Sequence, residues 1–551
     1  MKKYLYLFLV GLLVISIVAG CINNEGDSSG EDKGEPNPNA GKTNEFGWNV
    51  PESTLEFSYF AGQGNPKEVE KNTKLLNEFL LEQFNVKVNK QVTETDNKER
   101  LNLMLASNDY PEVITGLSPA EVEKWVSQKR AVDLTEYIDK YAPTIKEKLG
   151  DTYKRYLDEN GKLYGLPNYW GYFPIADYSA NIPYTTWVEI GKPKSVSTEE
   201  YFDLLKELQA KTPENQNGQK TYALSGESWA NGYIYKVLAG AWGLENGFKE
   251  DENGNLTHWI NTPEGIELTK YLNKFQIEGL LDPNSFINDF DQWKEMFSNK
   301  RVYGHIGPWW HSWNAGHEVW QKTDENWKPE DRYVQVGIKA PGVDQAYLSP
   351  KNTIGSSRTI ITDKAKDPEK IIQFLDFAFS DMGNKLLGWG VPNEELSIWD
   401  IESGEWSWVE ERKNELINGN YDYDKGLLTG QGEYAIVAYH GIMEDETNWW
   451  YDQNFNNEAE WKRDFNENLK DTISDNTLKT ISVPLNDPLA VKEEQVNTLI
   501  NTGMSKAIQA KSPKMAEKIF IELREKVNKA GLNEIEEYKT KIYQERLKNW
   551  K

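Results

Sequence analysis

A single cysteine, Cys21, in 551 residues rules out an intrachain disulfide and leaves no second thiol for a cysteine-based metal site. Histidine is almost as scarce: His258, His305, His311, His317 and His440 are the only five. They form no H-E-x-x-H pair, and the six-residue steps between His305, His311 and His317 are not the i, i+4 step of a helical metal pair. Their expected roles are polar-loop or core histidines. No G-x-S-x-G elbow and no phosphate-binding glycine-rich motif is present. An excess of cations is missing too. With 62 Lys and Arg against 87 Asp and Glu, the formal net charge is -25. That is the wrong sign for a nucleic-acid partner, whose phosphates need a basic footprint. No dense acidic block stands out either, so the charge reads as solubility. One enzyme class survives these absences: glycoside hydrolysis needs only two carboxylates.

What the chain does have begins at its start. Lys2 and Lys3 precede the apolar run "YLYLFLVGLLVISIVAGC", the pattern of a signal peptide, expected over residues 1–20. The ending Val18-Ala19-Gly20-Cys21 resembles a bacterial lipobox. By that resemblance Cys21 becomes a lipidated N-terminus. The competing reading is an uncleaved membrane helix, for which the run is about the minimum length. Residues 21–52 follow, rich in Gly, Ser, Asn and Pro and acidic. They offer little to bury and are expected to be a disordered tether. The folded body would then sit outside the cell, held near the membrane.

At this length the body should form more than one lobe. Strand and helix signals alternate. Leu55 to Phe60 read as a buried strand. Asn65 and Pro66 open a helix whose apolar face is Val69, Leu75, Leu76, Phe79, Leu80 and Phe84. "NVKVNKQV" is a second strand. Ser118 with Glu121, and Ser197 with Glu200, are capping boxes. "KTYALSG" and "RVYGHIG" read as strands, and a helix enters through Thr262 and Pro263. The alternation predicts doubly wound α/β sheets. Beyond Asp367 and Pro368 the pattern turns mostly helical.

"RLNLMLASNDYPEVI", "AVDLTEYIDKYAPTIKEKL", "DENGKLYGLPNY", "INTPEGIELTKYLNKFQIEGLLDPNSF" and "ITDKAKDPEKIIQFLDFAFSDMGNKLLGWG" together resemble the extracellular solute-binding proteins of bacterial ABC importers, in the sugar-binding family 1 group with LipO-like lipoproteins. It is their order, joined to the lipobox, that carries the resemblance. It implies a type II periplasmic-binding-protein-like fold: two α/β lobes joined by a hinge and closing on a ligand. One lobe would take 53–166 and 354–392, the other 167–353 and 393–551. It implies capture of an oligosaccharide, delivery to ABC permease subunits, attachment to the outer face of the membrane through lipid alone, a monomer, no cofactor and no catalysis. Two departures stand out. "NIPYTTWVEIG" replaces a more basic run of many relatives. "TPENQNGQKTYALSG", from Thr212, lacks the aspartates of a calcium loop that relatives carry, and no metal is expected there. The alternatives are a surface glycoside hydrolase or lyase, and a glycan-binding lipoprotein with no role in transport.

Aromatic residues carry the site expectation. The chain has 21 tryptophans, and "GHIGPWWHSWNAG" holds Trp309, Trp310 and Trp313 among residues that mark loops. In open α/β sheets ligands bind beyond the carboxyl ends of strands, which is where "RVYGHIG" delivers this segment. A sugar needs a flat apolar wall and a few directed polar groups. Trp309 and Trp310 are expected to form that wall, supported by Trp170, Tyr172, Trp229 and Trp389. Glu227, and Gln63 and Asn65 from the other lobe, would supply polar contacts. Arg358 lies near the expected hinge, either to pair a ligand carboxylate or to bridge the lobes. For any one tryptophan, plugging a core is the competing role. Trp406, Trp408, Trp461 and Trp550 are assigned to packing.

Overall fold

The computed structural model describes residues 37–550, apart from 62–73, 92–96, 159, 169, 172–177, 228, 230–232, 351–353, 356, 403–404, 418–436, 438, 440–442, 446, 448–466, 475–476 and 479–480. The signal peptide, Cys21, Gln63, Asn65, Tyr172, His440 and Trp461 therefore lie outside the described residues. Twelve strands organise the two lobes: β1 Leu55–Ala61, β2 Val86–Gln91, β3 Val113–Leu117, β4 Leu166–Asn168, β5 Tyr178–Pro183, β6 Ser195–Ser197, β7 Tyr222–Leu224, β8 Val302–Pro308, β9 Tyr333–Lys339, β10 Ser357–Ile361, β11 Trp399–Glu402 and β12 Glu405–Trp408.

One five-stranded sheet has the order β2-β1-β3-β10-β4, the other β6-β9-β5-β8-β7. In the first, β1 runs parallel to β2 and β3, and β10 returns antiparallel between β3 and β4. In the second, β5 is antiparallel to both neighbours, while β8 pairs parallel with β7 and β9 with β6. Each sheet has its own core. Phe57, Tyr59, Val86 and Val113 pack with Phe374, Leu375 and Trp389 from the helices Pro368–Phe379 and Asp381–Trp389. Ala180, Ile182, Leu224, Ile306 and Val336 pack with Leu268 and Phe275 of the helix Pro263–Ile277. Val496, Met504, Phe520 and Leu532, from the last three helices, join this second core. Both expected capping boxes are formed, at Ser118–Glu121 and Ser197–Glu200. Thr262 precedes its helix without capping it; its hydroxyl donates instead to the Trp259 carbonyl, at 2.9 Å.

The expected lobe boundary at 166/167 falls a few residues early, since β4 and Trp170 belong to the first lobe, and two other boundaries differ further from the expectation. The tether assigned to residues 21–52 does not extend that far: residues 37–50 fold onto the first lobe. Gly41 and Lys42 pair with Val50, and Asn44 with Trp48, through backbone hydrogen bonds. Phe46, Trp48 and Val50 are buried. Asn37 and Asn44 donate to the carbonyls of Glu82 and Gln83 at 2.8 and 2.9 Å, and Trp48 Nε1 to that of Phe84 at 2.9 Å. A helix ends there, and its last carbonyls need such donors. Composition dominated by Asn, Gly and Pro concealed three apolar residues on alternate positions. The second difference concerns 393–551. The hairpin β11–β12, with Val437 and Met443, belongs to the core of the first lobe. Trp399 is fully enclosed there, its indole donating to the Gly390 carbonyl at 2.9 Å.

Candidate functional site

Strand β8 ends at Pro308 and a helix begins at once. Trp309–Ser312 is α-helical, Trp313–His317 makes a π turn, and Glu318–Thr323 resumes the α-helix. The segment expected as a loop is thus a helix entry with a π-bulge, a feature that recurs at functional sites. Its glycines serve packing rather than looseness. A Cβ on Gly304 would lie 2.3 Å from Leu205 Cδ1; on Gly307, 2.4 Å from His305 Nε2; on Gly316, 2.8 Å from Phe297 Cε1.

A buried polar brace fixes the helix entry. Ser312 donates to Asn181 Oδ1 at 3.2 Å, and the Asn181 amide donates to the carbonyls of Ser179, His305 and Gly307 at 3.2–3.3 Å. Gln335 reaches the Gly307 carbonyl from β9. These groups tie together the ends of three adjacent strands. Trp309 and Trp310, both half-buried, stand perpendicular to each other with centroids 5.8 Å apart; Trp310 also meets Tyr178 edge-on at 5.4 Å. His311 lies against Phe290 at 5.0 Å and against Trp293 and His305 at 5.9 and 5.7 Å. Its Nδ1 stops 3.7 Å from Glu227 Oε1. Burial pushes its pKa down to about 4, so it is neutral near pH 7. Burial, with His311 beside it, also holds His305 well below the usual imidazole range. Among the described residues no donor reaches the Glu227 carboxylate within hydrogen-bond distance, and its side chain is 23% exposed.

Glu227, Trp309 and Trp310 are therefore brought together around His311. The other expected contacts are placed elsewhere. Trp229 is in the core of the same lobe, edge-on to Phe286 at 5.5 Å and 2% exposed. Trp170 packs between Phe379 and Tyr439 in the first lobe, and Trp389 is enclosed there with no exposure. None of the three presents an open face, because each ring is spent on aromatic neighbours. Arg358 is 7% exposed, and its Nη1 donates to the carbonyls of Ile354 and Ser357 at 3.0 and 2.9 Å, with Gly355 at 3.4 Å. Burial lowers its pKa to about 10, and Tyr156, under its guanidinium at 5.1 Å, works the other way. All three carbonyls lie within four residues of Arg358 along the chain, so these bonds fix the entry to β10. Sequence reasoning missed His311, Asn181 and Tyr178 as parts of the site. Tyr178 could have been found, since it opens a strand paired with the end of β8.

Among the described residues no group of three His, Cys, Asp or Glu side chains is placed to hold a metal ion, and none of the described helices is long and apolar enough to cross a membrane. Two α/β lobes, one of which sets Trp309 and Trp310 beside Glu227 and His311 at its strand ends, are the architecture of a two-lobed binding protein. More particularly, residues 67–385 match the family model of bacterial extracellular solute-binding proteins, and the chain belongs to that family, family 1 of the solute-binding components of ABC transporters. It is a non-enzymatic transporter component, which removes the hydrolase alternative.

Relatives are distant. The fructooligosaccharide ABC transporter substrate-binding protein FusA of Streptococcus pneumoniae is 21% identical, over 72% of this chain and 74% of its own. The lipoprotein LipO of Bacillus subtilis is 20% identical, over 82% and 85%. Among solved structures, the alginate-binding protein AlgQ2 superposes with a TM-score of 0.66 at 18% identity, covering 90% of this chain and 99% of the other. FusA in complex with fructo-nystose gives 0.63 at 17%, covering 90% and 100%. These likenesses establish the two-lobed fold.

Proposed function

We propose that this protein captures an oligosaccharide between its lobes outside the cell and hands it to the permease of an ABC importer. Trp309 and Trp310 form the stacking wall and Glu227 accepts hydroxyl hydrogen bonds. The observation that carries this reading is the pair of half-exposed, mutually perpendicular indoles at the carboxyl end of β8, beside a carboxylate that has no donor among the described residues. Sugar rings pair an apolar C–H face with a hydroxyl rim, and such a wall and acceptor complement both. Trp229 packs in the core of the same lobe. Trp170 and Trp389 stiffen the opposite lobe, and Arg358 braces the crossing between lobes. Gln63, Asn65 and Tyr172, outside the described residues, remain proposed contacts. Relatives that bind fructooligosaccharide and alginate support the ligand class. Cys21 is proposed as the lipid anchor, in keeping with the lipoprotein relative, and the protein acts as a monomer.

Glycan-array binding with the chain from residue 22 onward tests the ligand, and calorimetry on each hit gives its affinity. Saturable binding of an oligosaccharide without product formation is expected. Absence of binding to every glycan would overturn the reading. A Cys21→Ser variant of the full chain should leave the membrane fraction; if it stays there as firmly as wild type, the anchor is wrong. Loss of uptake of the bound glycan on deleting the gene separates an importer component from a glycan-binding adhesin.

A further inference from the structure

The turn between the helix Thr198–Lys211 and β7, residues 212–221, stands where relatives carry a calcium loop, and its residues do not fit calcium. Asn215 is at its centre, 9% exposed, and all four hydrogen-bonding positions of its carboxamide are filled. Oδ1 accepts from the backbone N–H of Asn217 and of Gln219, both at 3.0 Å. Nδ2 donates to Gln219 Oε1 at 3.0 Å and to the Asn299 carbonyl at 2.8 Å. The two backbone donors fix the orientation of the amide, since a reversed group would set NH2 against N–H. The Asn215 backbone N–H donates to the Gln219 carbonyl at 2.9 Å, and Gly218, at φ 69°, closes the turn. A hard cation needs six or more oxygens, several of them carboxylates. Here the turn's one carboxylate, Glu214, is exposed, and the amide hydrogens already occupy Gln219 Oε1 and the Asn299 carbonyl.

We propose that the Asn215 side-chain amide does the work of a metal ion in this turn, so that the protein folds and binds without calcium. The amide ties the turn to Asn299, which caps the C-terminal end of the helix Phe290–Ser298. That tie also holds the start of β7. Thr221 donates through its N–H to the Pro213 carbonyl at 3.0 Å and through its hydroxyl to Thr212 at 2.7 Å. Three residues beyond β7 comes Glu227. Asn215 thus fixes the turn and the start of β7, and no ion is part of that support.

The test is thermal melting of the chain from residue 22 onward, in EGTA and again in millimolar calcium chloride. The same midpoint in both is expected; a saturable rise with calcium would overturn the proposal. Asn215→Asp keeps both acceptor bonds and removes both donors. It should melt several degrees below wild type in EGTA, and equal midpoints would show that the donated bonds hold nothing. Neither readout uses a glycan, so failure here is distinct from failure of the sugar-binding reading.

Discussion

Two tryptophan groups, one in each lobe, look alike in sequence and differ in what their rings face. In the first lobe Trp389 is surrounded by Trp399, Trp406 and Trp408 at 5.9, 5.5 and 4.5 Å. Lys385, 2% exposed, lies over Trp406 at 4.4 Å and pairs with Asp445. Each ring there has another ring or a cation as its partner. In the second lobe, Trp309 and Trp310 lead a helix off the end of a strand, and their rings stay half-exposed. The first group plugs a core and the second lines an edge. Tryptophan density in a sequence therefore locates aromatic clusters without saying which ones meet solvent. What decides is whether a later segment returns to cover them, and β11–β12 does so for Trp389.

The largest effect should fall on the covered group. Trp389→Ala empties a fully enclosed site and should lower stability by about 3–5 kcal/mol, read as an early urea or thermal transition, while glycan affinity of the folded fraction is kept. A near-native transition would mean that the cluster is not a core. Next comes the ion pair beneath it. Asp445→Asn leaves the Lys385 ammonium among indoles without its carboxylate. Loss of about 3 kcal/mol is expected, the low end for a broken buried pair because Asp445 is itself 32% exposed. Burial raises the Asp445 carboxyl pKa, but hydrogen bonds from Lys385 and Thr447 outweigh it and the net shift is downward. Its contribution is therefore present above the ordinary carboxylate range and is lost only as pH falls below that range, under about 4.

How much of this was legible depends on the range of the interaction that decides it. Ser118–Glu121 and Ser197–Glu200 are settled within four residues, and both were readable as caps. The β8 strand, and the segment it delivers at its carboxyl end, follow from a local apolar run and a general rule for α/β sheets. The burial of Phe46 and Trp48 depends on Phe84, and that of Trp389 on Trp399 and Trp408, pairings that local periodicity does not encode. Glycine was misread for a related reason. Gly304, Gly307 and Gly316 suggested a loop, yet they are there because neighbouring side chains leave no room for a Cβ. Of the candidate site, Glu227, Trp309 and Trp310 were expected from composition at strand ends, and the fold brings them together. His311, which joins them, has no sequence signature beyond its neighbours.

For the uncovered group the expected loss is affinity rather than stability. Trp310→Ala should weaken glycan binding by about 1–3 kcal/mol, roughly tenfold to a hundredfold, with a near-native melting midpoint. Trp309 also packs against the core of its lobe, so Trp309→Ala should lose some stability along with affinity. If Trp310→Ala melts far below wild type and its folded fraction binds normally, the two groups are alike after all and both are core.

A last difference separates the groups by pH. His311 is packed against Phe290, Trp293 and His305, with Glu227 3.7 Å away. Burial keeps its folded pKa near 4, against about 6.5 in an unfolded chain. Between those values the unfolded chain binds a proton that the folded one refuses. Stability then falls as the solution is acidified from about pH 6.5 to 4, by up to about 1.4 kcal/mol per pH unit for this group. His305, also held neutral by burial, adds in the same direction. His311→Gln should flatten the dependence by about one proton's worth when urea transitions at pH 7 and pH 5 are compared. Trp389→Ala should leave that slope as it is, because the covered group near it loses its titrating contribution only below about pH 4. An unchanged slope in His311→Gln would mean that His311 takes up its proton in the fold, closing the 3.7 Å gap to Glu227. The carboxylate offered to a sugar hydroxyl would then be occupied by its own neighbour.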